Sequence, residues 1–179
     1  LLDLSFREDA SSRFGSDKRW APFWSVGLGW NLHNEEFLKN VTFINRLKIR
    51  GSYGLTGSQN YNPYQAMTTY KYLTGERYHH TVGAEVMALG NEKLGWQRTL
   101  QQNYGVDIDL WDERINFTGN YYIKLSKDVL TSVTLPPSLG FSSYMDNLGE
   151  VKNYGYELNL RVALVKNLSK QLYWSVNAT

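Results

Sequence analysis

The sequence predicts an all-β chain, a section of an antiparallel transmembrane β-barrel, on three observations. Apolar and polar side chains alternate through several runs of about ten residues, the length a tilted strand needs to cross a bilayer. Aromatic content is 15%, with Tyr 13, Phe 7 and Trp 6, while mean hydropathy is −0.46. Such a pairing of interfacial rings with overall polarity is what strands with one lipid-facing side produce. Finally, no run of about 18 apolar residues occurs, so no membrane-spanning helix is expected and a barrel is the remaining way to span.

The strands follow in order. Leu2, Leu4 and Phe6 open a short first strand. Trp24, Val26, Leu28, Trp30 and Leu32 oppose Ser25, Gly27, Gly29 and Asn31, and Leu47, Ile49, Gly51, Tyr53 and Leu55 oppose Arg46, Lys48, Arg50 and Ser52. From Leu100 to Leu110 the even positions are mostly apolar and the odd ones include Asp107 and Asp109. After Trp111-Asp112-Glu113-Arg114 the rhythm restarts with Ile115, Phe117, Gly119, Tyr121, Ile123 and Leu125 against Asn116, Thr118, Asn120, Tyr122 and Lys124, which makes a hairpin. Tyr156, Leu158, Leu160 and Val162 oppose Glu157, Asn159 and Arg161, and Leu172, Trp174, Val176 and Ala178 form the last run. About seven strands result, joined as in an up-and-down wall.

Long links (Glu8 to Arg19, Thr56 to Gln97, Lys127 to Asn153) alternate with tight ones (Asp112-Glu113, Lys166 to Lys170), as long external loops and short periplasmic turns do. The middling link from His33 to Asn45 contains Asn34-Glu35-Glu36-Phe37-Leu38-Lys39, which reads as a one-turn helix capped by Asn34. Trp24, Trp30, Trp111, Tyr122, Tyr154, Tyr156 and Trp174 fall near the expected strand ends, where aromatic belts sit. An open edge in lipid would leave amides and carbonyls unpaired at several kcal/mol each, so about seven strands call for more chain to close the barrel. Alternation by itself also fits a soluble β-sandwich whose aromatics bind carbohydrate, the rival reading.

Several segments carry a resemblance beyond pattern. They are Arg7-Glu8-Asp9-Ala10-Ser11-Ser12-Arg13-Phe14-Gly15, Arg19-Trp20-Ala21-Pro22-Phe23-Trp24-Ser25-Val26-Gly27-Leu28-Gly29-Trp30-Asn31 and Leu47-Lys48-Ile49-Arg50-Gly51-Ser52-Tyr53-Gly54-Leu55-Thr56-Gly57. Two more are Leu89-Gly90-Asn91-Glu92-Lys93-Leu94-Gly95-Trp96-Gln97 and Asn147-Leu148-Gly149-Glu150-Val151-Lys152-Asn153-Tyr154-Gly155-Tyr156-Glu157-Leu158. In order and spacing the chain resembles the SusC/RagA class of TonB-dependent outer-membrane transporters. The resemblance implies a 22-stranded barrel closed by an N-terminal plug, lidded by a SusD-like surface lipoprotein and energised through the TonB complex. It also implies import of a glycan or peptide across the bacterial outer membrane. Residues 1 to 179 then form one segment of that barrel, with the plug domain, TonB box and final strand expected elsewhere. Ala10 stands where the family commonly has glycine.

Side chains that could carry chemistry are few. Lys+Arg 19 against Asp+Glu 17, spread along the chain, gives no footprint for nucleic acid. Cysteine is absent, so thiolate chemistry and disulfides are excluded. Asp107 and Asp109 share a face as paired carboxylates do in glycosidases, but wall polarity explains them better. Adjacent His79 and His80 point to opposite sides of a strand and lack further ligands, and no Gly-x-Ser-x-Gly elbow occurs. No enzyme, cofactor or metal site is expected. Arg46, Lys48, Arg50, Asp107, Asp109, Asn116, Asn120, Lys124, Glu157 and Arg161 are expected to face lumen or plug, since a lipid-facing cation costs roughly 2–4 kcal/mol at mid-bilayer. Tyr61, Tyr64, Tyr70, Tyr72 and Tyr78 in the long loop offer amphipathic surface for a substrate or partner, or for the loop's own packing.

Overall fold

The computed structural model describes residues 1–15, 18–59, 62–79, 81–167 and 172–179. Nine strands occur in the order β1 (Leu2–Ala10), β2 (Trp20–Asn31), β3 (Ile44–Ser58), β4 (Thr69–Tyr78), β5 (Thr81–Ala88), β6 (Gln97–Leu110), β7 (Ile115–Thr134), β8 (Ser143–Asn167) and β9 (Leu172–Ala178). Seven form one antiparallel sheet in the order β1-β2-β3-β6-β7-β8-β9, and β4 and β5 make a separate hairpin between β3 and β6. The sheet is open, with β1 and β9 as its edges.

Register carries the sequence alternation across the whole sheet. One lateral row reads Leu2, Leu28, Gly51, Tyr104, Tyr121 and Tyr156, each paired with the next. The adjacent row on the same side reads Leu4, Val26, Tyr53, Gln102, Ile123 and Tyr154. Because a strand's period is two, every apolar row lands on one side and the polar rows on the other. Away from the loop end, the described residues leave the apolar side uncovered: Leu4 is 66% exposed, Phe6 73% and Tyr156 76%. A face that large and apolar is covered in a water-soluble sandwich; here it is a surface made for hydrocarbon.

The packed core lies at one end, among loops. Phe14, Ala21, Phe23, Ala66, Leu94 and Trp96 cluster there, with Phe23 at 2% exposure and Leu94 at 0%. Trp96 meets Phe14 at 4.8 Å with the rings tilted by 49°, and meets Phe23 edge-on at 5.3 Å between ring centroids. Gly15 donates its N–H to the Leu94 carbonyl, and a Cβ on Gly15 would overlap the Glu92 carbonyl oxygen, so only glycine lets the chain dock at this point.

Four sequence expectations need correction. The long link Thr56 to Gln97 carries the β4–β5 hairpin, so the strands among the described residues number nine and not about seven. The stretch Lys127 to Asn153 is mostly strand: β7 runs to Thr134 and β8 starts at Ser143, with register shifts between Ser126 and Leu130 that turn the pair past Asp128. Polar substitution in this extension hid its period. The segment after β2 is no capped helix; a 3₁₀ turn covers Leu32–Asn34, and further i to i+3 bonds link Leu38 to Glu35 and Val41 to Leu38. Asn34 caps nothing, and Glu35 instead accepts a bond from the Trp30 indole at 2.8 Å. Among the belt aromatics, Trp24, Tyr122, Tyr154 and Tyr156 sit within their strands and not at the ends, and Tyr122 lies on the polar side beside Lys124. Trp30 and Trp111 do stand at the turn end, where Phe43 packs on Trp111 at 6.3 Å.

Candidate functional site

The candidate site is the polar side of the sheet together with the loop end. By register, Arg46 lies opposite Asp109, Lys48 opposite Asp107, and Arg50 opposite Gly105. On β7 and β8, Asn116 pairs with Arg161 and Asn120 with Glu157, while Lys124 lies opposite Gln101 of β6. All ten polar-side candidates therefore share one face. Arg50 is the hub: its guanidinium lies 3.3 Å from Asp107 and donates to the Asn120 carbonyl oxygen at 2.7 Å. Gly105, between these strands, makes the reach possible, since a Cβ there would stand 2.7 Å from Arg50 Nε and 2.9 Å from Asn120 Oδ1. Sequence alternation placed Gly105 on this side but gave no sign of that role.

Toward the turn end, Asn116 donates to Asp109 at 2.8 Å, and Arg161 donates to the Tyr173 hydroxyl at 2.7 Å. Asp109, Glu113, Asn116, Thr118, Asn159 and Arg161 line one open groove there, with Tyr173 at its edge. Of the two carboxylates in it, Asp109 is held by the Asn116 amide, so it lends the groove polarity. The tight β6–β7 turn holds Trp111, Asp112 and Glu113 at positive φ of 51°, 54° and 63°. Contacts to the neighbouring link fix it: Trp111 donates to the Phe43 carbonyl at 2.9 Å and Glu113 to the Asn45 side chain at 3.4 Å.

At the loop end, the tyrosine candidates divide. Tyr64, held at positive φ of 70°, is exposed, as are Tyr70 and Tyr72, which share one face of β4 opposite Val86 and Ala84 of β5. Tyr61 and His80 lie outside the described residues, and for Tyr78 the strand position is described but not the side chain. A polar tie that sequence reasoning missed fastens these loops to the extended β7–β8 pair. Asn147 accepts from the Gly95 N–H at 2.8 Å and donates to the Asp128 carbonyl at 2.7 Å, while Asn91 donates to Asp146 at 3.0 Å. The Trp96 indole donates to the Arg19 carbonyl at 2.9 Å and closes the loop pair. Asn91 and Asn147 sit inside the motifs quoted above, which was their only signal.

A wall with one side for lipid and a charged, hydrogen-bonded other side defines a section of a membrane β-barrel. Residues 1–179 match the family model described as TonB dependent receptor-like, beta-barrel, and the chain belongs to that family. It is 38% identical over 167 residues to TonB-dependent receptor P39 of Formosa agariphila, covering 93% of this chain and 16% of that protein. TonB-dependent receptor SusC of Bacteroides thetaiotaomicron is 33% identical over 186 residues, which cover 99% of this chain and 18% of SusC. The RagAB peptide importer in its closed-closed state superposes with a TM-score of 0.84 at 30% identity, over 93% of this chain and 18% of the importer chain. The chain is thus a TonB-dependent receptor barrel of the SusC/RagA type, spanning less than a fifth of the length of these relatives, all of them receptors or transporters and not enzymes. The sandwich reading is set aside.

Proposed function

We propose that residues 1 to 179 are a single segment in the wall of an outer-membrane importer that takes up a glycan or peptide with TonB-derived energy, beneath a SusD-like lipoprotein. The observation that carries the reading is the two-sidedness of the sheet: apolar rows open to hydrocarbon on one side and the Arg50, Asp107 and Asn120 network on the other. Relatives named for TonB dependence and for peptide import support the coarse activity. In this reading Arg46, Lys48, Arg50, Asp107, Asp109, Asn116, Asn120, Lys124, Glu157 and Arg161 face the lumen, where they hold a plug and wet the route. Tyr64, Tyr70 and Tyr72, with Tyr61 and Tyr78 beside them in sequence, contact cargo or lid. The barrel makes and breaks no bond; transport rests on polarity and fit.

The test is an immunoblot of fractionated source cells with an antibody to the segment Thr56 to Gln97. A band several-fold heavier than 20.7 kDa in the outer membrane, shifting in mobility when boiled, is expected. A soluble band near that mass overturns the reading.

A further inference from the structure

The apolar side of the sheet ends abruptly toward the loop end. Trp24, Leu55, Leu100 and Leu125 form one row of that side, and Leu125 pairs onward with Lys152. Two residues further along each strand, the same side carries Pro22, Arg98 and Lys127; Arg98 and Lys127 lie opposite each other with side chains 57% and 59% exposed. Within one step, leucine gives way to cations. Two loop lysines join them: Lys18, Lys93 and Arg98 rim a pocket whose apolar wall is Trp20, Pro22 and Leu55 together with Ala21 and Trp96, where the apolar side meets the loop-end core.

The charges around the pocket do not cancel. Its acid is Asp128, which pairs with Arg98 at 3.1 Å; Glu150 reaches Lys127 at 3.9 Å, and Glu8 stands opposite Pro22. Of the charged side chains that line the pocket, three are cations (Lys18, Lys93, Arg98) and one is a carboxylate (Asp128), a surplus of two. Lys18 and Lys93 are exposed, and no carboxylate among the described residues pairs with either. Trp20, 68% exposed on the apolar side, has the amphipathic ring that sits where hydrocarbon meets headgroup.

We propose that this pocket, at the rim of the apolar side, binds the phosphate of an anionic lipid in the outer leaflet, with Lys18, Lys93 and Arg98 on the headgroup and an acyl chain lying down the row of Trp24, Leu55 and Leu100. Cations stacked over a lipid-facing apolar row are complementary to such a molecule in charge and in amphipathic order. The assignment rests on the outer-membrane reading above, because the pocket lies at a lipid boundary only if the apolar side faces lipid. Arg98 is partly neutralised by Asp128 and positions the site, while the two lysines supply the unbalanced charge.

The experiment uses the full-length barrel protein in detergent, mixed with a diphosphorylated glycolipid or its dephosphorylated counterpart, with retention read by native mass spectrometry. The native protein should retain the phosphorylated lipid over the other, and the double variant Lys18→Gln/Lys93→Gln should lose that preference by on the order of tenfold or more, at about fivefold per cation. Both proteins should keep the heat-dependent gel shift of a folded barrel. Equal retention of the two lipids by a folded native barrel, or an unchanged preference in the double variant, overturns the pocket and leaves the importer reading intact. Release of bound lipid by millimolar inorganic phosphate would assign the cations to a free anion and overturn the lipid. A chain absent from the membrane fraction overturns both readings.

Discussion

The seven-stranded wall and the loop-end cluster of Phe14, Phe23, Leu94 and Trp96 are both aromatic, yet they are stabilised in opposite ways. In the wall, Ala163 is the only hydrophobic side chain outside the loop-end cluster counted as buried among the described residues, and leucines and tyrosines stand open on one side. At the loop end, Phe14, Phe23, Leu94 and Trp96 are buried against one another, as side chains are in the interior of a soluble domain. The difference teaches what solvent does for each. Lipid covers the wall's apolar rows, so it needs hydrogen-bonded register and no protein core, whereas loops standing in water need a core of their own.

That contrast breaks most sharply at Leu94. Truncating a fully buried leucine costs about 2–5 kcal/mol through lost transfer energy and the cavity left behind, so Leu94→Ala should open the loop end. Hydrogen exchange in residues 89–96 should quicken strongly, while exchange in β6 and β7 stays slow and the barrel still shows its heat-dependent gel shift. Loss of the folded barrel band would mean that wall and loops share one core. The converse change is Ile108→Arg, in the row of Leu47, Ile108, Phe117 and Leu160. A cation on the lipid side costs roughly 2–4 kcal/mol at mid-bilayer, so less folded protein should reach the outer membrane, with protease resistance of the loops unchanged in the fraction that does. Correct assembly at native levels would sink the lipid-side assignment.

The third test sharpens the boundary between the regions. Asn147→Ala removes the side chain that satisfies Gly95 and Asp128 backbone groups, and an unsatisfied polar group of this kind costs about 1–3 kcal/mol. Exchange at the Gly95 amide should rise by about tenfold, with less effect at Leu94 than its own truncation has. No change at Gly95 would show that water replaces the amide at no cost, and that the tie does not fasten loop to strand.

The same contrast explains what could be read from the sequence. Wall strands announce themselves because one-dimensional alternation is all that a sheet between lipid and lumen requires: the even positions from Leu100 to Leu110 and the odd ones from Ile115 to Leu125 gave the faces, and the structure pairs them from Leu100 with Leu125 to Leu110 with Ile115. Loop structure depends on contacts between residues far apart in sequence, such as Trp96 with Arg19 and Asn91 with Asp146, which no local period encodes. The β4–β5 hairpin was therefore read as part of a long external loop, and the extension of β7 and β8 was missed where polar residues on both sides erase the period. On the polar face, alternation found the charged residues, but the partner of Arg50 was set by a diagonal reach over Gly105, which depends on an absent side chain.

The smallest effect is expected next door to one of the largest. Asp107 and Ile108 are adjacent in β6, so backbone, register and distance from the strand ends are shared, and only the side of the sheet differs. Asp107→Asn keeps the shape and leaves Arg50 its 2.7 Å bond to Asn120. With Arg50 43% and Asp107 18% exposed at the side chain, the lost ion pair is partly wet, and pairs of that kind contribute about 0–1 kcal/mol. The Asp107→Asn barrel should assemble at close to native yield, with any deficit below that of Ile108→Arg by a wide margin in the same gel-shift assay. If the two substitutions reduce folded protein equally, the sides have been assigned wrongly or the carboxylate is needed during assembly. If Asp107→Asn is neutral for assembly and slows uptake in the full-length importer, the charge is doing its work in the lumen.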